Sequence, residues 1–261
     1  MQSELSYKKV ALVTSAAGGI GEAVARELAK EGMFVALIDK DVKGLDKIRD
    51  ELHMDGCHAA SYSLDICDRS AVEQTVKMIE QEVGPIEILV NVAGIMRIGT
   101  VDSLQDDDWD EAFAVNSTGV FNLSRAVSRR MIPREKGSIV TVGSNAANTP
   151  RMSLSAYAAS KAAATMFMKC LGLELAKYNI RCNIVSPGST ETDMLRMLWK
   201  DESGKDEFIK GVPELYRVGI PLKKLATPTD IANTVLFLIS DRSSHITMQN
   251  ICVDGGATLG I

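Results

Sequence analysis

The chain has little of what several functional classes require. It holds only three histidines, His53, His58 and His245, with no His-x-x-x-His spacing, so no metal site is expected. Its five cysteines, Cys57, Cys67, Cys170, Cys182 and Cys252, are scattered and contain no Cys-x-x-Cys pair, and they read as reduced core residues. No apolar stretch approaches the length that spans a bilayer, and residues 1–7 lack a basic start followed by an apolar run. The expectation is a cytoplasmic protein with no membrane partner. No basic run occurs, and 29 Lys plus Arg against 34 Asp plus Glu leave a net charge of −5, which speaks against a nucleic-acid partner. Proline is scarce at 7 residues, and no linker, repeat or shift in composition divides the chain, so residues 1–261 read as one domain.

What is present is regular. Apolar runs bounded by turn residues fall at 10–13, 34–38, 86–90, 138–142, 180–185 and 251–253, and each predicts a buried strand. Helix-period stretches lie between them, at 20–30, 71–82, 109–130, 156–177 and 230–239, with Gly32 closing the first and Thr229-Asp230 capping the last. Strand alternating with helix throughout predicts a doubly wound α/β fold around a parallel sheet. The least regular region is about 192–218, where a charged stretch at 200–207 interrupts Met194, Leu195, Leu198 and Trp199. It reads either as a substrate lid or as a plain surface helical hairpin.

The first strand runs directly into Thr14-Ser15-Ala16-Ala17-Gly18-Gly19-Ile20-Gly21, and an amphipathic helix follows. Small residues there let backbone N–H groups approach a pyrophosphate while the helix N-terminus favours negative charge, so Ser15, Ala17, Gly19, Ile20 and Gly21 are candidate dinucleotide contacts. The second strand ends at Asp39, where a carboxylate accepts hydrogen bonds from ribose hydroxyls and repels a 2′-phosphate. NAD is therefore expected rather than NADP. Lys40 reads as a solvated lysine that begins a loop. Asp65 and Ile66 after the third strand, and Asn91, Ala93 and Gly94 after the fourth, stand at strand C-terminal ends, where open α/β sheets bind ligands.

Tyr157 and Lys161 are four apart on a predicted helix and so share a face. Lowering a phenol from its ordinary pKa of about 10 to near pH 7 takes roughly 4 kcal/mol of differential stabilisation. An ammonium about 4 Å away supplies about that at intermediate dielectric, and an oxidised nicotinamide adds a second positive charge. Ser144, at the end of the preceding strand, aims a hydroxyl at the same crevice and can hold a substrate oxygen. Asn116 can close a water-mediated link to Lys161, or have a local structural role only.

The Gly-rich turn, Asn91-Val92-Ala93-Gly94, Asn116, Ser144, Tyr157-x-x-x-Lys161, Ser186-Pro187-Gly188 and Asp254-Gly255-Gly256 together resemble the short-chain dehydrogenase/reductase family over essentially the whole chain. The resemblance implies a seven-stranded Rossmann sheet and a Ser/Tyr/Lys proton-transfer group assisted by Asn116. It also implies that Pro187 and Gly188 contact the cofactor, that Thr192 holds the nicotinamide carboxamide, and that copies of the chain form a homotetramer through the long helices. Two departures stand out: Ser15 replaces the usual first glycine, and Val92 a second asparagine.

Within the family, Thr149-Pro150-Arg151, the segment from Ser186 to Met194, Leu198-Trp199, Gly219-Ile220-Pro221-Leu222 and His245-Ile246-Thr247 resemble the dihydrodiol dehydrogenases of catecholate siderophore pathways, those of the bacillibactin type above all. That implies a small anionic cyclohexadiene diol as substrate. A carboxylate in a net acidic protein needs a cationic anchor: Arg151, six residues before Tyr157, is the first candidate and Arg97 the competitor. Met96, Met194 and Leu195 can contact the ring, and Ser189 offers a hydroxyl. Two other readings remain: a generic reductase, for example of 3-oxoacyl carriers, which would favour NADPH, and a non-catalytic dinucleotide-binding protein.

Overall fold

The computed structural model describes residues 7–199 and 204–260; residues 1–6 and the 200–203 part of the charged interruption lie outside the described residues. Among those described, the strands are β1 (Val10–Thr14), β2 (Phe34–Asp39), β3 (Ala59–Ser63), β4 (Ile86–Asn91), β5 (Gly137–Val142), β6 (Ile180–Pro187) and β7 (Asn250–Val253). They form one seven-stranded sheet in the order β3-β2-β1-β4-β5-β6-β7, every pair parallel. The helices are α1 (Gly19–Lys30), α2 (Val42–Met54), α3 (Arg69–Glu82), α4 (Asp106–Phe113), α5 (Val120–Met131), α6 (Ser155–Leu175), α7 (Asp193–Arg196), α8 (Gly204–Lys210) and α9 (Pro228–Ile239).

Side chains on a strand alternate between faces, and the alternation here separates two cores. Val10 and Leu12 pack with Ile79, Leu123 and Met168 from α3, α5 and α6. Ala11 and Val13 pack on the other side with Leu28, Leu45 and Leu238 from α1, α2 and α9. Each buried aliphatic side chain contributes about 2 kcal/mol, and the two layers together make the fold doubly wound. Because β1 pairs with both β2 and β4, the chain direction of winding reverses there, and a crevice opens at the C-terminal ends of those strands.

The structure departs from the sequence-based expectations in four local ways. First, β3 and α2 carry no long apolar run. β3 is an edge strand of Ala, Ser and Tyr, and α2 buries only Leu45, Ile48 and Leu52. Second, the helix expected at 109–130 starts at Asp106, where three aspartates complement the helix dipole, and passes through a wide π-helical turn, Ala114–Gly119, before α5.

Third, the last helix is capped by Thr227 rather than Thr229. The Thr227 hydroxyl accepts from Asp230 N (3.2 Å), the Asp230 carboxylate accepts from Thr227 N (2.8 Å), and Pro228 takes the first helical position, where its missing N–H costs nothing. Fourth, all five cysteines are free thiols, but the core reading holds for Cys182 alone; Cys57 and Cys67 are half-buried, and Cys170 and Cys252 are exposed. Gly32 closes α1 as predicted, with φ +78° and its N–H on Ala29 O.

The irregular region folds as two short helices, α7 and α8. Leu195, Ile220 and Leu225 gather Leu198, Trp199 and Phe208 into a third, smaller apolar cluster. No helix among the described residues is long and apolar enough to cross a membrane.

Candidate active site

The crevice is built around the end of β1. Thr14 Oγ1 accepts from Val92 N (2.8 Å) and Ala93 N (3.0 Å), which ties the loop after β4 to the Gly-rich turn. Ser15 adopts φ +55°, a left-handed conformation that a glycine would take without strain. A Cβ at Gly21 would lie 2.0 Å from Ser15 O, so only glycine permits the turn to fold back on the helix. Above Gly18 there is open space, and no side chain caps the first turn of α1. Uncapped N–H groups at a helix start beside open space fit a pyrophosphate.

Of the residues expected at a cofactor, Ser15, Gly19, Ile20, Gly21, Gly94, Lys161, Pro187, Gly188 and Thr192 line one cavity of about 360 Å³. The Thr192 methyl would sit 3.6 Å from a Cβ at Gly19, so the segment before α7 closes directly over the phosphate turn. Ala17, Asp39, Asp65, Ile66, Asn91 and Ala93 are not on the cavity wall. Ala17 N and the backbone N–H groups of Lys40 and Asp41 all donate to the Asp39 carboxylate, which fixes it at the tip of β2. Lys40 is not simply solvated: its Nζ lies 2.7 Å from Asp65. Ile66 is buried beneath Gly119, and the Asn91 amide turns into the sheet, donating to Ser124 (3.0 Å) and Thr141 (3.1 Å). The Asn91 and Ile66 side chains therefore brace the crevice floor.

Ser144, Tyr157 and Lys161 converge on the same cavity. Ser144 sits two residues beyond β5, its Oγ accepting from Ala146 N (3.1 Å), and Tyr157 is in the first turn of α6. Lys161 is buried, donates to Val142 O at 3.0 Å, and lies 6.0 Å from the Tyr157 ring centroid. Burial pulls the Lys161 ammonium down to about 8. Burial also raises the Tyr157 phenol, with the Ser144 hydroxyl pulling the other way. Both groups lie on the cavity wall, and without a nicotinamide the burial of the phenol and of the amine opposes the lowering expected for the loaded site.

Asn116 stands on the π-helical turn, fully buried. Its Oδ1 accepts from Ile95 N (2.8 Å), and its Nδ2 donates to Ile95 O (2.9 Å) and Ser160 Oγ (2.9 Å). A Cβ on Gly94 would meet Lys161 Nζ at 3.0 Å and Asn116 Oδ1 at 3.1 Å. Glycine at 94 is therefore what lets the loop after β4 lie against both groups.

The remaining wall holds all the residues expected at a substrate: Met96, Ser144, Arg151, Ser189 and Met194. Arg151 is half-buried, and burial lowers its pKa while Asp254 opposes. Arg97 is not on the wall; it pairs with Glu111 and lies 3.4 Å from Asp108, so the geometry separates the two arginines in favour of Arg151. Sequence reasoning missed Leu154, Phe208, Arg217 and Val218, which also line the cavity. The signal for Arg217 was its place between Gly211 and Gly219 at the end of the irregular region.

Comparison with known proteins places these features in context. The short chain dehydrogenase family model matches residues 9–203. The chain is 59% identical over 253 residues to 2,3-dihydro-2,3-dihydroxybenzoate dehydrogenase of Bacillus subtilis (strain 168), covering 97% of each. It is 44% identical over 248 residues to the enzyme of the same name from Escherichia coli (strain K12), covering 95% of this chain and 96% of the relative. Among solved structures, a gluconate 5-dehydrogenase from Burkholderia cenocepacia J2315 in complex with NADP and tartrate superposes with a TM-score of 0.90 at 31% identity, covering 98% of this chain and 97% of the other.

Proposed function

The chain belongs to the short-chain dehydrogenase family, and within it we propose that it oxidises 2,3-dihydro-2,3-dihydroxybenzoate to 2,3-dihydroxybenzoate with NAD, in the making of a catecholate siderophore of the bacillibactin type. The observation that carries this reading is the composition of one cavity. It joins the phosphate-turn residues to Ser144, Tyr157 and Lys161, and it holds a half-buried arginine, Arg151, where an anionic ring substrate needs a cation.

The residues divide the work as follows. Ser144 and Tyr157 hold one ring hydroxyl, and Tyr157 takes its proton. Lys161, fixed on Val142 O, holds positive charge beside the phenol and favours its ionised form. Asn116 positions the loop at Ile95 and the Ser160 turn of α6, and so the lysine that follows. The uncapped start of α1 holds the dinucleotide pyrophosphate, Asp39 the adenosine ribose, and Thr192 the carboxamide; the nicotinamide, when bound, accepts the hydride. Loss of the proton on the adjacent ring carbon, with return of a proton to the oxidised oxygen, gives the aromatic catechol, which makes the oxidation hard to reverse.

Asp39 favours NAD over NADP, which counts against a generic NADPH-dependent carrier reductase. The convergence of Ser144, Tyr157 and Lys161 counts against a non-catalytic role. The α7–α8 segment, resting on its own small cluster, acts as a substrate lid over 192–218. Exposed Trp109 on α4 and exposed Met166 and Leu173 on α6 support a homotetramer packed through these helices.

The test is NADH formation from the dihydrodiol and from a panel of simple secondary alcohols. Turnover should be confined to the dihydrodiol and lost in Tyr157→Phe, with NAD binding retained. Equal turnover of all the alcohols sinks the substrate assignment, and a Tyr157→Phe enzyme of undiminished rate sinks the mechanism.

A further inference from the structure

Several arginines elsewhere in the protein have partners among the described residues. Arg26, Arg49, Arg97 and Arg134 pair with carboxylates, and half-buried Arg181 donates to Leu238 O, Ser240 O and Ser243 Oγ. Arg217 is different. It is half-buried on the cavity wall, and its guanidinium has no ion pair or side-chain hydrogen bond among the described residues. Arg151, on the same wall, is also without one.

The two cations face a common space. Both lie on the wall of one cavity, burial lowers the Arg217 pKa, and the charge of Arg151 adds to that lowering. The carboxylates that act on them, Asp254 on Arg151 and Glu207 on Arg217, form no ion pair with them. Asp254 is committed to its own turn, accepting from Gly256 N (2.9 Å), Thr258 N (3.0 Å) and Thr258 Oγ1 (2.7 Å), while Glu207 is exposed on α8. Two like charges, half removed from water and without a counterion, are costly unless a ligand supplies the anion.

Arg217 is also held in place. Val212 N donates to Arg217 O (3.0 Å) and Arg217 N to Val212 O (3.1 Å), closing a tight hairpin with Tyr216 at φ +54°. A Cβ at Gly211 would lie 2.5 Å from Arg217 O, so the hairpin closes this tightly only over glycine. The guanidinium carbon lies 4.5 Å from the centre of the Phe208 ring, which orients the fork.

We propose that Arg217 and Arg151 form a two-cation clamp for the carboxylate of the substrate, with Arg217 as a specificity-determining residue contributed by the segment after α8. The inference rests on the function proposed above and deepens it by naming the second half of the anion anchor. A planar fork on each side of a carboxylate suits bidentate binding and discriminates against uncharged rings.

The test measures binding by calorimetry, independently of turnover, with 2,3-dihydroxybenzoate and with catechol, the same ring without the carboxylate. Removing one charge-assisted partner, in Arg217→Met, should weaken 2,3-dihydroxybenzoate by about 10- to 100-fold and catechol by less than about twofold. Arg217→Lys should recover part of the loss, and NADH binding should be unchanged in both variants, which reports an intact fold. An unchanged ratio of the two affinities in Arg217→Met overturns the clamp, as does an equal loss for both ligands or a wild type that prefers catechol. If the wild type fails to oxidise the dihydrodiol yet prefers the anion through Arg217, the clamp stands and the proposed function falls. If it oxidises the dihydrodiol and Arg217→Met keeps the ratio, the clamp falls alone.

Discussion

Replacing Lys161 by methionine should stabilise the protein at neutral pH while destroying the chemistry proposed for it. The ammonium is buried and pulled from its ordinary 10.5 down to about 8. That interval corresponds to about 3 kcal/mol of penalty on the charged form in the folded state. Lys161 is charged in the unfolded chain at every pH below about 10.5 and in the folded protein only below about 8. The wild type therefore bears the full penalty at pH 7, and stability rises as the pH climbs from 8 towards 10.5. Methionine keeps the length and packing but gives up the hydrogen bond to Val142 O, worth about 1 kcal/mol. The expected gain is about 2 kcal/mol at pH 7, falling to about zero by pH 10. Urea denaturation of both proteins at the two pH values, followed by circular dichroism, measures it. A variant less stable than wild type at pH 7, or a gain that does not change with pH, refutes the reasoning.

Two further outcomes follow from the cofactor end of the crevice. Ser15→Gly should relieve the left-handed backbone at φ +55° and raise stability by up to about 1 kcal/mol, or about 2–4 °C in Tm for a chain of this size; a Tm that falls would show that the hydroxyl does more than occupy the turn. Asp39→Asn keeps an acceptor for the Lys40 and Asp41 N–H groups, gives up the one for Ala17 N and removes the charge, and should improve the affinity for NADP relative to NAD by about tenfold or more, read from the quenching of protein fluorescence; a constant ratio would move cofactor choice away from this carboxylate.

The central strands were legible because they are buried on both faces and therefore rich in consecutive apolar residues, as in the Val-Ala-Leu-Val run that opens Val10–Thr14. β3 was not, because an edge strand is half solvated and needs no apolar run; its Ala-Ala-Ser-Tyr-Ser composition carries no period. α2 escaped for a related reason, since a helix on the margin of the sheet buries a stripe of only three side chains. In the site, the phosphate turn and the Ser144, Tyr157 and Lys161 set were legible because their spacing is local. Arg217 was not, because what makes it notable is the lack of an ion pair among the described residues, and a linear sequence records neighbours along the chain rather than neighbours in space.

Several costly features meet at one location. Ser15 in a left-handed conformation, the buried amine of Lys161 and two guanidinium groups without an ion pair among the described residues all lie on the wall of one cavity at the C-terminal end of the sheet. Below them lie the two apolar layers built on β1. A chain can retain several kcal/mol of local destabilisation at one end of a sheet only because the layers beneath over-determine the fold. Each of these costs also has a chemical sign. The cations ask for an anion, the uncapped helix start asks for phosphate, and the dry amine asks for a neighbour that ionises. The residues that weaken the fold are therefore the ones that specify its ligand, and substitutions that relieve them should trade stability against recognition in a fixed direction.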